Sequence, residues 1–405
     1  MTNLPKFANP FRPGAGHRPP YLAGRKHEEA EFRKALKQTV ILENMILTGL
    51  RGVGKTVLLE SFKPIAVHEG WLWVGTDLSE SASVSEENLA QRVITDLSVV
   101  TRNIYIGTPK QMTFGFTGAV EEAQIPLGYE TLWQLFVSTP GLIADKLKAV
   151  LLHVYPFIKR MGKAGIIFSY DEAQNLSDHR EKDQYPLSLL LEVFQSIQRQ
   201  DVPFLLLLAG LPTVFQRLVE TRTYAERMFS VVTLKRLSND ESRDAITKPI
   251  EDAKCPVSFA EPSIDLIVDY SGGYPYFIQF MCKEAYDSWI QLASEGKEAS
   301  VPIKEIIRKL DNDFFSGRWS LITDRQQKLL HVISHLDTRN DEFTIKEIVA
   351  KAKEIPNAAF GKSQINQLLT GLTLVGLVYK DRHGKYVFAV PLLADFIKRT
   401  MENQR

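Results

Sequence analysis

The chain has 405 residues, 44% hydrophobic and 24% charged, with a formal net charge of +1. A single hydrophobic core stops growing at roughly 250–300 residues, so two or three domains are expected. The near-neutral balance excludes a molecule-wide basic field for nucleic acid, and any such surface has to be local. The longest apolar stretch, around Phe204–Leu208, is far shorter than the ~20 residues a membrane helix needs. Met1 to Pro20 lacks the apolar core of a signal peptide. Cys255 and Cys282 lack metal-ligand spacing and sit among apolar residues, as expected of two buried thiols in a reduced protein. These features together predict a cytoplasmic protein with no membrane partner.

Residues 1–24 carry Asn9-Pro10-Phe11-Arg12-Pro13-Gly14 and Arg18-Pro19-Pro20, a composition that excludes helix and predicts an extended arm. A charged helix follows from Arg25 to Leu36. Met45-Ile46-Leu47-Thr48 then reads as a strand, and Lys55 to Glu60 as the start of a helix. Between them stands Gly49-Leu50-Arg51-Gly52-Val53-Gly54-Lys55-Thr56, a complete phosphate-binding loop followed by Val57. Its glycines let the backbone turn tightly and aim N–H groups at β- and γ-phosphates. Lys55 adds a point charge there, and the Thr56 hydroxyl can join a Mg²⁺ shell.

Further strands are expected at Trp71–Thr76, Ile166–Tyr170, Phe204–Ala209 and Phe229–Leu234, with helices between them. That rhythm predicts an α/β fold, a parallel five-stranded sheet with helices on both faces. The run Gly165–Tyr170 ends in Asp171-Glu172, the Walker B arrangement. Asp171 would bind Mg²⁺ through water, and Glu172 would orient the attacking water. About 115 residues separate Lys55 from Asp171, more than one crossover needs. Helices at Ser85–Leu97 and Leu142–Met161 fill part of the interval, and alternation around glycine predicts an inserted β-hairpin over 103–129. The nucleotide domain is thus expected to span 25–236.

From 237 to 317 the pattern is helical, with helices at Asn239–Lys248, Pro262–Asp269, Pro275–Ala293 and 300–316, a lid in the order of the chain. Residues 318–405 have their own layout. A capping box at Thr323 opens a helix to Leu336, Phe343-Thr344 a second to Ala352, and Ser363 a third to Leu374. Two strands, Leu377–Lys380 and Tyr386–Val390, follow around Asp381-Arg382-His383-Gly384, completing a winged helix–turn–helix. This segment holds fourteen Lys and Arg against nine Asp and Glu, a local excess of +5. Lys362, Gln364, Asn366 and Gln367 would reach base edges, and Lys380, Arg382, His383 and Lys385 would reach phosphates.

Taken together, the sequence resembles the origin-recognition-complex-like branch of the AAA+ ATPases, with affinity to signalling NTPases. The resemblance covers nearly everything after residue 20. It is carried by the phosphate loop, Asp171-Glu172-Ala173-Gln174, Ala209-Gly210-Leu211-Pro212, Glu226-Arg227-Met228-Phe229 and Gly272-Gly273-Tyr274-Pro275-Tyr276. It implies ATP with Mg²⁺ as ligand, adenine contact from Leu22-Ala23-Gly24-Arg25, and Pro275 against the base. It also implies an arginine finger in trans at Arg227, with Arg222 as local competitor. Two departures stand out. The polar sensor position after the fourth strand reads Ala209-Gly210, with Thr213 the nearest hydroxyl, and the lid's sensor arginine is replaced by Tyr276. Both imply slow turnover.

Three functions stay open. One is a DNA-associated ATP-dependent switch whose winged helix binds double-stranded DNA, with or without self-association. Another is a signalling-type switch whose winged helix is regulatory and binds protein. The third is a nucleotide-bound scaffold with negligible hydrolysis.

Overall fold

The computed structural model describes residues 8–14, 16–107, 124–255, 258–294, 301–338, 342–356, 358–382 and 384–402. They fall into two compact units: Lys26–Thr48 with Leu58–Thr233, and Met1–Arg25 with Gly49–Val57 and Leu234–Arg405.

The first unit is built on strands β1 (Asn44–Thr48) and β2 (Trp71–Val74), then β3 (Tyr105–Gly107) and β4 (Gln124–Pro126), then β5 (Gly165–Tyr170), β6 (Phe204–Gly210) and β7 (Phe229–Thr233). Five of them form one parallel sheet in the order β2-β5-β6-β1-β7. β1, β5 and β6 are buried along their whole length, so they read as continuous apolar runs without alternation. On one face, helices Glu86–Thr101, Tyr129–Ser138, Ile143–Arg160 and Pro186–Gln198 enclose a core with Ile166, Phe168 and Leu206. Elsewhere in the unit Phe32 of helix Lys26–Leu36 stacks on Phe62 at 4.1 Å, with Trp73 edge-on to Phe32 at 6.2 Å. Helix Glu86–Thr101 starts one residue after its cap, Ser85, whose hydroxyl accepts from Asn88 N at 3.1 Å. β3 and β4 pair antiparallel, and residues 108–123 within the expected hairpin lie outside the described residues.

The second unit is mainly helical. Asn239–Asp252, Glu261–Ser271 and Pro275–Ser294 lead to Ile303–Leu310, which continues through a π turn, Asp311–Phe315, into Ser316–Trp319. The capping box at Thr323 and Gln326 opens Asp324–Ser334. Helices Ile345–Ala352 and Lys362–Leu374 follow, with a three-stranded sheet of β8 (Phe343–Thr344), β9 (Val378–Arg382) and β10 (Lys385–Phe388) in the order β8-β10-β9. This is a winged helix–turn–helix whose wing includes one strand more than the sequence pattern suggests. Thr344 closes that strand and caps the next helix, accepting from Glu347 N at 3.2 Å. A last helix, Leu393–Glu402, buries Leu393, Phe396 and Ile397 and lies beyond the elements that the sequence pattern predicts.

One apolar core runs through this unit, from Phe11 to Ile397. The proline-rich arm contributes to it directly. Phe11 is 2% exposed, with Phe259 and Tyr286 rings 6.2 and 6.5 Å away. Asn9 Nδ2 donates to the Lys283 carbonyl at 2.9 Å and to Asp287 Oδ1 at 2.7 Å. The Phe11→Ala variant should therefore lose about 3–5 kcal/mol of stability, the usual cost of an aromatic cavity. Chemical denaturation of the full chain measures it, and an unchanged midpoint would mean that the arm is only laid on the surface.

Of the two thiols, Cys282 is buried as expected, whereas Cys255 is only half-buried, and both are free. No helix among the described residues is long and apolar enough to cross a membrane.

Candidate nucleotide-binding site

The phosphate loop follows β1 without an intervening residue. A side chain at Gly49 would meet the Leu234 carbonyl at 2.8 Å, and Gly52 and Gly54 have φ of +79° and +93°, which L side chains rarely adopt. The loop thus needs glycine for one close approach and two left-handed turns. Lys55 opens the helix Lys55–His68, whose first turn holds no acidic residue. Its Nζ donates to the carbonyls of Gly49 and Leu50, both at 3.0 Å, which returns the ammonium across the loop. A cation, loop amides and a helix N-terminus are the parts of an anion cradle.

Arg25 and the arm support this loop. Arg25 is 5% exposed, and its Nη2 donates to the Val53 carbonyl at 2.9 Å and the Lys235 carbonyl at 3.1 Å. The residue thus braces the loop backbone. A Cβ on Gly16 would lie 3.2 Å from Thr56 Cγ2, so the arm passes beside the loop's hydroxyl residue. Val53 is buried at 1% exposure, and Arg51, Thr56, Val57 and Leu22 are half-buried. Pro275 is the first residue of Pro275–Ser294, and the next N–H, of Tyr276, donates to the Gly52 carbonyl at 3.2 Å.

The acids lie in the other unit. β5 and β1 are parallel and one strand apart, so Tyr170 and Thr48 end at the same sheet edge, and Asp171 follows Tyr170. Asp171 is 4% exposed, and its Oδ1 accepts the Glu172 N–H at 2.8 Å. Burial, with Asp96 nearby, pushes the Tyr170 hydroxyl well above the usual tyrosine range, so this neighbour stays neutral. Glu172 has φ +53°, a left-handed turn that costs a non-glycine residue about 1–3 kcal/mol. The carboxylate beyond that turn is exposed, and Gln174 Nε2 donates to it.

Gln174 has a second contact. Its Oε1 accepts the Leu211 N–H at 3.0 Å, and a side chain at Gly210 would meet that oxygen at 2.7 Å. One amide thus ties the Glu172 carboxylate to the end of β6, filling the space where a larger residue at 210 would project. Arg217 donates to the backbone carbonyls of Gln174 and Leu176 and fixes the turn further. Gln174 belongs to the run Asp171-Glu172-Ala173-Gln174, but its link to β6 depends on a contact 37 residues away and has no local signal.

Arg227 is exposed in the short helix Ala225–Met228, ahead of β7. Phe229 pairs with Asn44, so Arg227 stands at the sheet edge where β1 begins, opposite to the edge where β1 ends. Arg222 lies 3.7 Å from Glu192 and is engaged there. Thr213 is half-buried at the start of Thr213–Thr221.

Among the described residues no cluster of three or more His, Cys, Asp or Glu could enclose a metal. A cation such as Mg²⁺ takes hard oxygen donors and leaves much of its shell to substrate phosphates and water. Thr56 and Asp171 are hard oxygen donors of the right chemistry for it.

No family model matches the chain. An uncharacterized HTH-type transcriptional regulator of Methanocaldococcus jannaschii is 22% identical, covering 96% of this chain and 91% of the relative. Among solved structures, the Walker-type ATPase of Pyrococcus abyssi is similar at TM-score 0.58 and 15% identity, covering 94% of this chain and 97% of that one. The ORC2 protein of Aeropyrum pernix in its ADP form is similar at TM-score 0.55 and 16% identity, covering 96% of both chains. The likeness runs the length of the molecule, and at these identities it establishes a shared fold.

Proposed function

We propose that this chain is an ATP-dependent switch of the origin-recognition-like AAA+ kind, which hydrolyses ATP slowly and contacts double-stranded DNA through its winged helix. The observation that carries the reading is the loop itself, with Lys55 drawn back over glycines in left-handed turns at the end of a central strand. Gly49, Arg51, Gly52, Val53, Gly54, Lys55, Thr56 and Val57 would hold the phosphates, and Leu22 with Pro275 would border the adenine. Thr56 and Asp171 would hold Mg²⁺, which when bound neutralises charge on the phosphate oxygens. Glu172 orients the attacking water. The hold of Gln174 on its carboxylate, with no polar side chain at Ala209 or Gly210, favours slow turnover.

The DNA reading is supported by helix Lys362–Leu374, whose Lys362, Ser363, Asn366, Gln367 and Thr370 are exposed, with Lys380 exposed on the wing. The HTH description of the archaeal relative agrees with it. Binding of a labelled duplex across a salt series tests it. Contacts from about three lysines predict a log–log slope of about −2 to −4 through counterion release. An affinity that is absent or flat with salt would favour the signalling-type alternative, in which the winged helix is regulatory and binds protein. One observation favours that second reading: a side chain at Gly376 of the winged helix would meet Arg51 Nη2 of the phosphate loop at 3.5 Å, so the two segments are neighbours.

Self-association rests on Arg227. Its place at the sheet edge opposite to the end of β1 suits a finger offered to a neighbouring copy, worth about 10³–10⁵ in rate where such fingers act. Arg227→Ala should bind ATP normally and hydrolyse it poorly, and mixing it with Lys55→Ala should restore part of the turnover. A specific activity independent of concentration, with no rescue in the mixture, would show that each copy works alone.

A further inference from the structure

Arg51 is the third residue of the phosphate loop. A Cβ on Gly376 would lie 3.5 Å from its Nη2, so the side chain leaves the loop toward the turn between helix Lys362–Leu374 and β9. The next residue meets the lid. Gly52 accepts from Tyr276 N, and a Cβ at Gly52 would lie 3.3 Å from Tyr276 Cβ. The Tyr276 ring packs on Phe314 with centroids 5.2 Å apart. Over that same Phe314 ring, 5.1 Å from its centroid, lies the guanidinium of Arg318, which also donates to the Phe314 carbonyl at 3.5 Å.

Phe314 belongs to the π turn Asp311–Phe315, a departure from α geometry that often marks functional positions. It presents Phe314 to Tyr276 while Phe315 stacks on Phe396 at 5.0 Å. The stack Gly52–Tyr276–Phe314–Arg318 therefore brings a second guanidinium within electrostatic reach of the loop. Burial first, and the Arg51 charge second, hold Arg318 below the ordinary arginine range. Among the described residues neither Arg51 nor Arg318 forms an ion pair with a carboxylate, whereas Arg92, Arg243 and Arg399 each do. Two like charges, both half-buried, are costly to hold together until an anion joins them. Guanidinium is the cation best shaped for a phosphate's oxygens.

We infer that Arg51 and Arg318 together grip the terminal phosphate of a bound nucleoside triphosphate, so that the chain tells tri- from diphosphate with two arginines of its own. The inference rests on the nucleotide-binding reading above and adds to it a residue outside every motif. It also gives the nucleotide a route to the winged helix, because an Arg51 that shifts toward a phosphate leaves its place beside Gly376. Arg318 is a binding residue in this account, and Phe314 and Tyr276 position it.

The test measures ATP and ADP affinities by calorimetry on the full chain, with Arg318→Gln, Arg51→Gln and Lys55→Ala beside the wild type. Both glutamine variants should lose about tenfold or more in ATP affinity, as expected for a charge-assisted contact, while ADP affinity changes by less than about threefold. In thermal melts without nucleotide, Arg318→Gln should move the wild-type midpoint little, because relief of the like-charge repulsion offsets the lost packing on Phe314. Its rise in melting temperature with ATP should shrink. An unchanged ATP-to-ADP ratio in both glutamine variants would overturn the grip while leaving nucleotide binding intact. A wild type that binds neither nucleotide better than Lys55→Ala would instead remove the nucleotide reading, and the grip with it.

Discussion

Lys55→Ala should bind ATP at least about 100-fold more weakly than the wild type, equivalent to about 2.7 kcal/mol. Two losses combine. The first is the charge-assisted contact to phosphate oxygens, worth about 1.5–3 kcal/mol in a site of this kind. The second is internal: Lys55 Nζ donates to the carbonyls of Gly49 and Leu50, and without it the loop loses the tie across its own turn. The amides of Gly52, Val53 and Gly54 remain, so weak binding to the helix N-terminus should persist. Calorimetry with ATP and Mg²⁺ reads the change directly. Lys55 is half-buried rather than packed in a core, so the melting temperature without nucleotide should move little. An unchanged affinity would show that the loop is a structural turn, and the assignment of Thr56 and Asp171 to a metal would lose its basis as well.

The motifs of the candidate site stand out in the sequence because each is local. The phosphate loop is eight consecutive residues, so its glycine spacing and the apolar strand before it are visible in the string, whereas Arg25, Leu234 and Tyr276, which pack on it, are not. The sheet was equally legible, because β1, β5 and β6 are buried throughout and appear as unbroken apolar runs. What the sequence hid was made by distant partners. Phe11 looks like one more residue of a proline-rich arm, and only Phe259 and Tyr286, some 250 residues on, turn it into core. Arg318 sits between domains expected from periodicity, and nothing in its neighbours points toward residue 51. Helix ends failed for a different reason. Asn239–Asp252 runs past Lys248 with Pro249 inside it, although the ring removes one donor and marks a stop in the sequence. Leu393–Glu402 is only ten residues long, and its burial of Leu393, Phe396 and Ile397 follows from docking on the winged helix.

Glu172→Gln should separate binding from chemistry. The carboxylate is exposed and does not form part of the loop, so ATP affinity should stay within about threefold of the wild type, under 0.7 kcal/mol. Hydrolysis should fall by roughly 10²–10⁴-fold, the range for removing a group that handles the reacting water's proton. The local structure makes this substitution a fair test. Glu172 holds its left-handed φ of +53° through backbone contacts, with its N–H on Asp171 Oδ1 at 2.8 Å and its carbonyl on Asn175 N at 2.9 Å. Glutamine keeps those bonds, the side-chain length and an oxygen that can accept from Gln174 Nε2, and it removes only the charge and the basicity. Single-turnover hydrolysis with enzyme in excess avoids any limit set by product release. The Gln174→Ala variant supplies the complementary reading: it frees the Glu172 carboxylate from the amide that ties it to Leu211, and turnover should change while ATP affinity does not. Equal single-turnover rates in wild type and Glu172→Gln would take the water-orienting role away from Glu172. If the wild-type rate were itself no faster than uncatalysed hydrolysis, the chain would be a nucleotide-bound scaffold, and the left-handed turn at Glu172 would need another explanation.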